Sequence, residues 1–151
     1  MKPNLLLTII FSIVLLSAGC GEQAAKPGSP GKVVKDFYGN LKARKFEEAY
    51  FLIHPDCRKL MNFQDWNTYC QRKYKKMFGP IVKIVIGKVT MEKNHEFLGK
   101  TYSEAAAVAT QINLSRNGRI TPITMRSILG RDEIGDWRIF TVPFQYKLKQ
   151  S

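Results

Sequence analysis

The stretch from Ala105 to Gly130, AAAVATQINLSRNGRITPITMRSILG, decides the fold of this chain. Apolar residues alternate with other residues up to Ser115, and a second run rich in Ile begins at Ile120. Between the two runs lies Asn117-Gly118, the dipeptide most typical of a two-residue hairpin turn, because both residues tolerate positive φ. The stretch therefore predicts two antiparallel strands, Ala105 to Ser115 and Ile120 to Gly130.

Two further strands are predicted on either side of this hairpin. Ile81 to Met91 is rich in Val and Ile, and Trp137 to Val142 follows a polar turn over Asp132 to Asp136. Phe144 and Tyr146 continue the alternation beyond that last strand. Short linkers between consecutive strands favour neighbouring antiparallel pairs. The carboxyl-terminal half is thus predicted to be a four-stranded antiparallel meander.

Three amphipathic helices are predicted before the strands. The first begins at Ser29-Pro30, where serine can cap the helix and proline suits the first helical position. The second covers Phe46 to Ile53 and ends before His54-Pro55, and the third runs from its Asn62 cap to Gly79-Pro80. The apolar stripes of the first and third helices are Val33, Val34, Phe37, Tyr38 and Leu41, and Phe63, Trp66, Cys70, Tyr74 and Met77. Helices followed by a meander predict an α+β fold.

The amino terminus has the layout of an export signal. Lys2 precedes an apolar run from Leu5 to Leu16, which is shorter than the roughly 20 residues of a permanent membrane span. The junction Leu16-Ser17-Ala18-Gly19-Cys20 resembles the lipobox of bacterial lipoproteins, although the family prefers Leu at the position of Ser17. The resemblance implies a signal peptide over residues 1–19 and acylation of Cys20, with palmitate among the chains. An ordinary secretory signal ending near a cysteine is the alternative.

The residues after Cys20 predict where the protein is held. Residues 20–29, rich in Gly, Ala, Pro and Ser, form a tether that reaches at most roughly 30 Å. Gly21 stands where an inner-membrane lipoprotein typically has aspartate, so the resemblance implies the outer membrane, facing the periplasm, in a diderm cell. The predicted division is completed by a folded domain over residues 30–147 and a tail over residues 148–151.

The chain is strongly basic, with a formal net charge of +12. In a cytosolic protein such a charge would suggest nucleic acid, but an exported lipoprotein meets anionic lipid headgroups and cell-wall polymers instead. We therefore expect no nucleic-acid partner. Two basic surfaces are candidates, one at the end of the third helix and one on the sheet: Arg72, Lys73, Lys75 and Lys76, and Arg126 and Arg138. A solvated helix face is the alternative for the first group.

Cys57 and Cys70 remain once Cys20 is assigned to lipid. An exported protein permits a disulfide between them, which would close a loop of about a dozen residues. Two separate thiols are the alternative, with Cys70 filling the apolar stripe of its helix. The sequence has no CxxC motif or histidine cluster near them, so no metal site is predicted.

The order of the predicted elements resembles a known superfamily. The amphipathic first helix, the stretch Ala43 to Tyr50, the Phe78-Gly79 helix end and the closing Asp136 to Ile139 are similar to the nuclear transport factor 2-like superfamily, and to small bacterial lipoproteins with a domain of unknown function. The resemblance implies a strongly curved sheet wrapped around the first helix as a cone with a pocket, and dimerisation through the sheet. Members include isomerases, dehydratases, ligand binders and interaction modules, so the fold does not select a function.

The sequence offers little for catalysis. The four predicted strands contain no Asp, Glu or His that could serve as a general base in a cavity. His54 precedes a proline at a helix end, and His95 falls in a polar stretch predicted to be a turn. Asp36 lies off the apolar stripe of its helix, and Asp65 suits a first helical turn. The resemblance suggests Tyr38 as a hydroxyl lining the pocket, but a core tyrosine whose hydroxyl reaches a partner is the commoner outcome.

These observations predict a membrane-anchored envelope lipoprotein with a binding or scaffolding domain and no cofactor. Its expected partners are the membrane itself, anionic lipid or cell-wall polymer, and another envelope protein. A small apolar-ligand binder, or a relative of the isomerases and dehydratases that uses the cone cavity, is the alternative.

Overall fold

A computed structural model describes residues 28–141 of the chain. Within this range the helices are α1 (Pro30–Lys42), α2 (Phe46–Phe51), α3 (Pro55–Arg58) and α4 (Phe63–Lys73), and α4 continues into a π-helical turn, Tyr74–Phe78. The strands are β1 (Ile81–Phe97), β2 (Lys100–Arg116), β3 (Arg119–Arg131) and β4 (Trp137–Ile139). The α+β class is confirmed. The last strand is shorter than the predicted Trp137 to Val142, since β4 ends at Ile139 and residues 140 and 141 are not in a strand. The signal peptide, Cys20, the tether up to residue 27 and the residues from Val142 onward lie outside the described residues.

The four strands form one antiparallel sheet in the order β1-β2-β3-β4, as the meander requires. Asn117 and Gly118 both have positive φ, at 50° and 73°, so they form the predicted hairpin turn between β2 and β3. The register follows from it, with Arg116 opposite Arg119 and Ile112 opposite Ile123. A side-chain period of two then places Ile112 and Ile123 on the same face of the sheet.

The first hairpin is longer than the sequence pattern predicts. The polar residues from Glu92 to Glu96 were expected in a turn, but they continue β1, and the turn lies at Leu98-Gly99, where φ is 52° and 71°. The expectation was wrong because cross-strand pairing, as between His95 and Tyr102, holds these polar residues in extended backbone. Acidic side chains and a histidine therefore do lie on strands of the sheet.

The sheet curves around α1. The register of β1 against β2 shifts between Ile81 and Lys83 and again between Ile86 and Val89, and such bulges bend a strand and increase its twist. Helix α1 contacts β1, β2 and β4, which includes both outer strands of the described sheet. The two outer strands are not paired with each other, so the sheet stays open. Its concave face holds the helix.

The helical half differs from the prediction in two places. A fourth, single-turn helix, α3, follows His54, because His54 caps it and Pro55 occupies its first turn. At the end of α4 the Gly79 N–H donates to the Tyr74 carbonyl at 2.8 Å, which adds one residue to the last turn. The predicted stripe placed Met77 toward the core, but Met77 is 41% exposed. Phe78 is buried in its place.

The core lies between the helices and the concave face. The predicted stripe of α1 is buried, and the Lys32 N–H donates to the Ser29 hydroxyl as the predicted cap. The other helices and strands also contribute buried side chains, and so do the segments between the helices. Among them are Ile53, Cys57, Met61, Trp66, Cys70, Val108, Leu129 and Ile139. Gly130 is required, since a Cβ there would lie 2.3 Å from the Phe140 ring. Ile53 forms a parallel bridge with Ile139, which ties the helices to the β4 edge.

Candidate functional site

A cavity of about 100 Å³ opens on the concave face, where α1, the π-helical turn and the first three strands meet. Its walls are mostly apolar, with one hydroxyl and one cation. The lining residues are Tyr38, Met77, Phe78, Ile81, Ile112, Leu114, Arg116, Ile123 and Met125. Apolar walls with few polar groups are typical of a site that binds a small molecule.

The backbone positions these side chains for local reasons. The turn at Asn117-Gly118 pairs Ile112 with Ile123 and Thr110 with Met125, so β2 and β3 present apolar side chains together. The π-helical turn places Met77 at the surface beside the buried Phe78. Met77, Ile123 and Met125 are each more than a third exposed. These three residues therefore form the open mouth of the cavity.

Two polar groups border the cavity. The Tyr38 side chain is buried, and burial raises the pKa of its phenol, although a hydrogen bond with Ser127 lowers it in part. Tyr38 lines the cavity and also belongs to the buried core, where its hydroxyl has Ser127 as a partner, so both interpretations of this residue apply. The Arg116 guanidinium lies at the mouth and donates through Nη2 to the Lys76 carbonyl at 2.7 Å. The nine lining residues contain no Asp, Glu, His or Cys, so this wall offers contacts and one positive charge but no general base.

The predicted basic surfaces have different outcomes. Arg72, Lys73, Lys75 and Lys76 are all exposed, on α4 and the π-helical turn, and within residues 28–141 none of the four forms an ion pair. No ion pair in the described range compensates these four charges, and Lys75 and Lys76 directly precede Met77 in the chain. We call them, together with Arg116, the basic rim.

The two arginines of the sheet do not add to that rim. Arg126 is exposed on β3 but pairs with Glu92 of β1. Arg138 is only 20% exposed and pairs with Asp132 at 2.8 Å and Asp136 at 3.0 Å. Burial pushes the pKa of Asp132 up, but the Arg138 hydrogen bond and backbone N–H groups keep it below its usual value. Cross-strand and turn carboxylates therefore compensate both arginines.

A second group of polar and aromatic residues lies where the β1–β2 hairpin meets β4. We call it the aromatic cluster: His54, His95, Phe97 and Tyr102 all pack on the Phe140 ring or its neighbours. Their rings lie 4.5 to 6.3 Å from one another or from Phe140. The sequence pattern predicted His54 at a helix end and His95 in a turn, so their contact with Phe140 was not predicted.

His54 is buried within the cluster and both of its ring nitrogens have partners. Its Nδ1 accepts from the Asp56 N–H at 3.2 Å, and its Nε2 lies 3.3 Å from the Arg131 carbonyl, to which it can only donate. The imidazole is therefore held neutral, with the proton on Nε2. Burial lowers its pKa, although the Arg131 carbonyl and the Asp56 charge oppose the shift. A histidine held in this way caps a helix and joins it to the sheet.

Asp56 connects the same cluster to two lysines. Its carboxylate accepts from Lys59 at 2.8 Å, Lys100 at 3.0 Å and the Tyr102 hydroxyl at 2.8 Å. The Lys59 and Tyr102 hydrogen bonds hold its pKa well below the usual range, and burial with the Asp56 charge raises that of Tyr102. The sequence signal for this network was His54-Pro55-Asp56, which has the same cap-then-proline pattern as Ser29-Pro30.

Cys57 and Cys70 are both buried, and the structure contains them as thiols that do not bridge one another. Cys70 fills the apolar stripe of α4, and burial raises the pKa of its thiol to about 12. That placement fits the alternative of separate thiols rather than a disulfide. Of the two helical acids considered from the sequence, Asp36 pairs with Lys32, and the Asp65 N–H donates to the Asn62 side chain that caps α4.

Residues 28–141 contain neither a metal-binding cluster nor a membrane-spanning helix. No group of three or more His, Cys, Asp or Glu side chains in this range could hold a metal ion. No helix in the same range has the length and apolar character needed to cross a membrane.

Comparison with protein-family models gives no match, and a search of curated proteins gives no significant one. The function therefore has to be inferred from the chemistry of the cavity and its basic rim.

Proposed function

We propose that this chain is a lipid-anchored protein of the bacterial envelope whose domain binds a ligand and catalyses no reaction. The open apolar cavity is the observation that carries the proposal, because its lining offers contacts but no general base. We further propose that the curved sheet around α1 is a cone of the nuclear transport factor 2-like type. The contacts of α1 with β1, β2 and β4 support that assignment.

The anchor determines where the cavity would act. A domain held by residues 20–29 stays within roughly 30 Å of the bilayer. Cations close to an anionic surface are attracted by about 1 kcal/mol each within a Debye length, so the basic rim would favour the headgroup region. The domain would therefore meet ligands at the membrane surface.

The Cys20→Ser variant tests the anchor in the native host. We expect loss of acyl labelling and accumulation of the uncleaved precursor, because the thiol is the acceptor and the cleavage site depends on it. Palmitate labelling followed by mass spectrometry of the amino terminus measures both. A variant that is still cleaved before residue 20 contradicts the lipoprotein assignment.

The cavity is tested with 1-N-phenylnaphthylamine, a neutral dye that fluoresces in apolar surroundings. The protein is residues 20–151 with Cys20→Ser, which retains every described residue. We expect saturable binding, and at least a tenfold loss of affinity in Met125→Trp, since the larger ring occupies the cavity. Met91→Trp is the matched control, because Met91 is exposed on β1 and does not line the cavity. Absence of dye binding, or equal losses in both variants, contradicts the proposal.

A further inference from the structure

The mouth of the cavity has a definite charge. Arg116 is the charged residue among the lining side chains, and it lies at the end of β2 beside the π-helical turn. Arg116 is exposed, and its Nη2 donates to the Lys76 carbonyl, which links the guanidinium to the π-helical turn. A guanidinium has five N–H donors in a fork that matches a carboxylate or a phosphate. The donors that do not bond the Lys76 carbonyl can therefore bind an anion at the mouth.

The surroundings of Arg116 strengthen that charge. Lys75 and Lys76 immediately precede Met77 of the cavity mouth, and both are exposed. Among the described residues no carboxylate forms an ion pair with either lysine or with Arg116. The other lining side chains are apolar except for the Tyr38 phenol. The site therefore combines an apolar interior with a cationic entrance.

We infer that the cavity binds a single-chain amphiphile with an anionic head, and this inference rests on the proposed function. The end of the acyl chain fills the space among Ile112, Ile123 and Met125, where it replaces contact with water. The anionic head stays at the mouth, where Arg116 donates to it and Lys76 adds charge. Carboxylate and phosphate heads share this chemistry, so a fatty acid and a lysophospholipid are the two sources.

The first test compares ligands of equal chain length. Decanoate and decanol differ in the charge of the head, and we expect decanoate to bind at least tenfold more tightly to residues 20–151 with Cys20→Ser. Dye displacement and isothermal titration calorimetry measure both affinities. Shortening the chain by one methylene is expected to lower affinity roughly fourfold, because about 0.8 kcal/mol is lost per methylene. Decanoyl-lysophosphatidylglycerol replaces decanoate in a parallel titration, and the tighter ligand identifies the source.

The second test removes the charge at the mouth. Arg116→Gln is expected to lower the affinity for decanoate about tenfold and to leave that for decanol unchanged. Arg126→Gln is the matched control, since it removes the same charge from an exposed arginine that does not line the cavity. Equal binding of decanoate and decanol overturns the inference, while dye binding in the cavity still supports the proposed function. If the protein without a cavity substitution also fails to bind the dye, both the inference and the proposed function are overturned.

Discussion

The aromatic cluster and the cavity lie on the same sheet but differ in packing. The side chains of the cluster are closely packed, whereas those of the cavity leave space unfilled. In the cluster, the polar side-chain atoms of buried His54 and half-buried Tyr102 have partners, and Phe140 packs so closely that only glycine fits at position 130. At the cavity, apolar side chains such as Ile123 and Met125 remain more than a third exposed around unfilled space. Close packing and satisfied hydrogen bonds serve stability. Unfilled apolar surface is more typical of a place where something binds.

The largest expected loss of stability comes from removing the central ring of the aromatic cluster. Phe140→Ala should lower the free energy of unfolding by about 3–5 kcal/mol, because a buried ring is replaced by a void among packed aromatic groups. Met77→Ala at the cavity mouth should cost less than about 1 kcal/mol, since Met77 is already 41% exposed. Urea denaturation followed by tryptophan fluorescence measures both losses. Similar losses would mean that the cavity is packed as tightly as the cluster.

A smaller effect is expected from protonation of His54. Burial lowers its folded pKa below the unfolded value of about 6.5, so the unfolded state takes up the proton first and stability falls as the pH drops below that value. His54→Asn keeps an acceptor for the Asp56 N–H but cannot titrate. Urea denaturation between pH 7.5 and pH 5 should show a loss of stability in the wild type and a flatter profile in the variant. Parallel profiles would show that the cluster does not hold the imidazole neutral.

The smallest effect is expected at Thr110, which lies on β2 opposite Met125 of the cavity. Its hydroxyl is buried and has no hydrogen-bond partner among the described residues. Thr110→Val should therefore raise the free energy of unfolding by about 1 kcal/mol, because an unpaired buried hydroxyl is removed without a change in shape. Thr124→Val, at an exposed position of β3, is the matched control and should change stability by less than about 0.5 kcal/mol. A loss at Thr110 would show that its hydroxyl finds a partner beside the cavity.

Prediction from the sequence succeeded where a local signal sufficed. The cap at Ser29, the stripe of α1 and the turn at Asn117-Gly118 each depend on neighbours a few residues away, and the structure confirms all three. The strand beyond Glu92 was missed because its polar residues are held by pairing with β2 and by contact with Phe140. The inward turn of Phe78 was missed because a π-helical turn changes a spacing that the sequence pattern assumes to be constant.

By itself the sequence determined the α+β class, the order of the strands and the register of the central hairpin, because these follow from alternation, caps and turn residues. Only the tertiary structure decided the cavity, the positive charge at its mouth and the close packing of the aromatic cluster. Arg116 meets Lys76, and Asp56 meets Tyr102, across separations of 40 and 46 residues. Contacts over such distances depend on how the sheet curves around α1, and no local pattern of residues records that curvature.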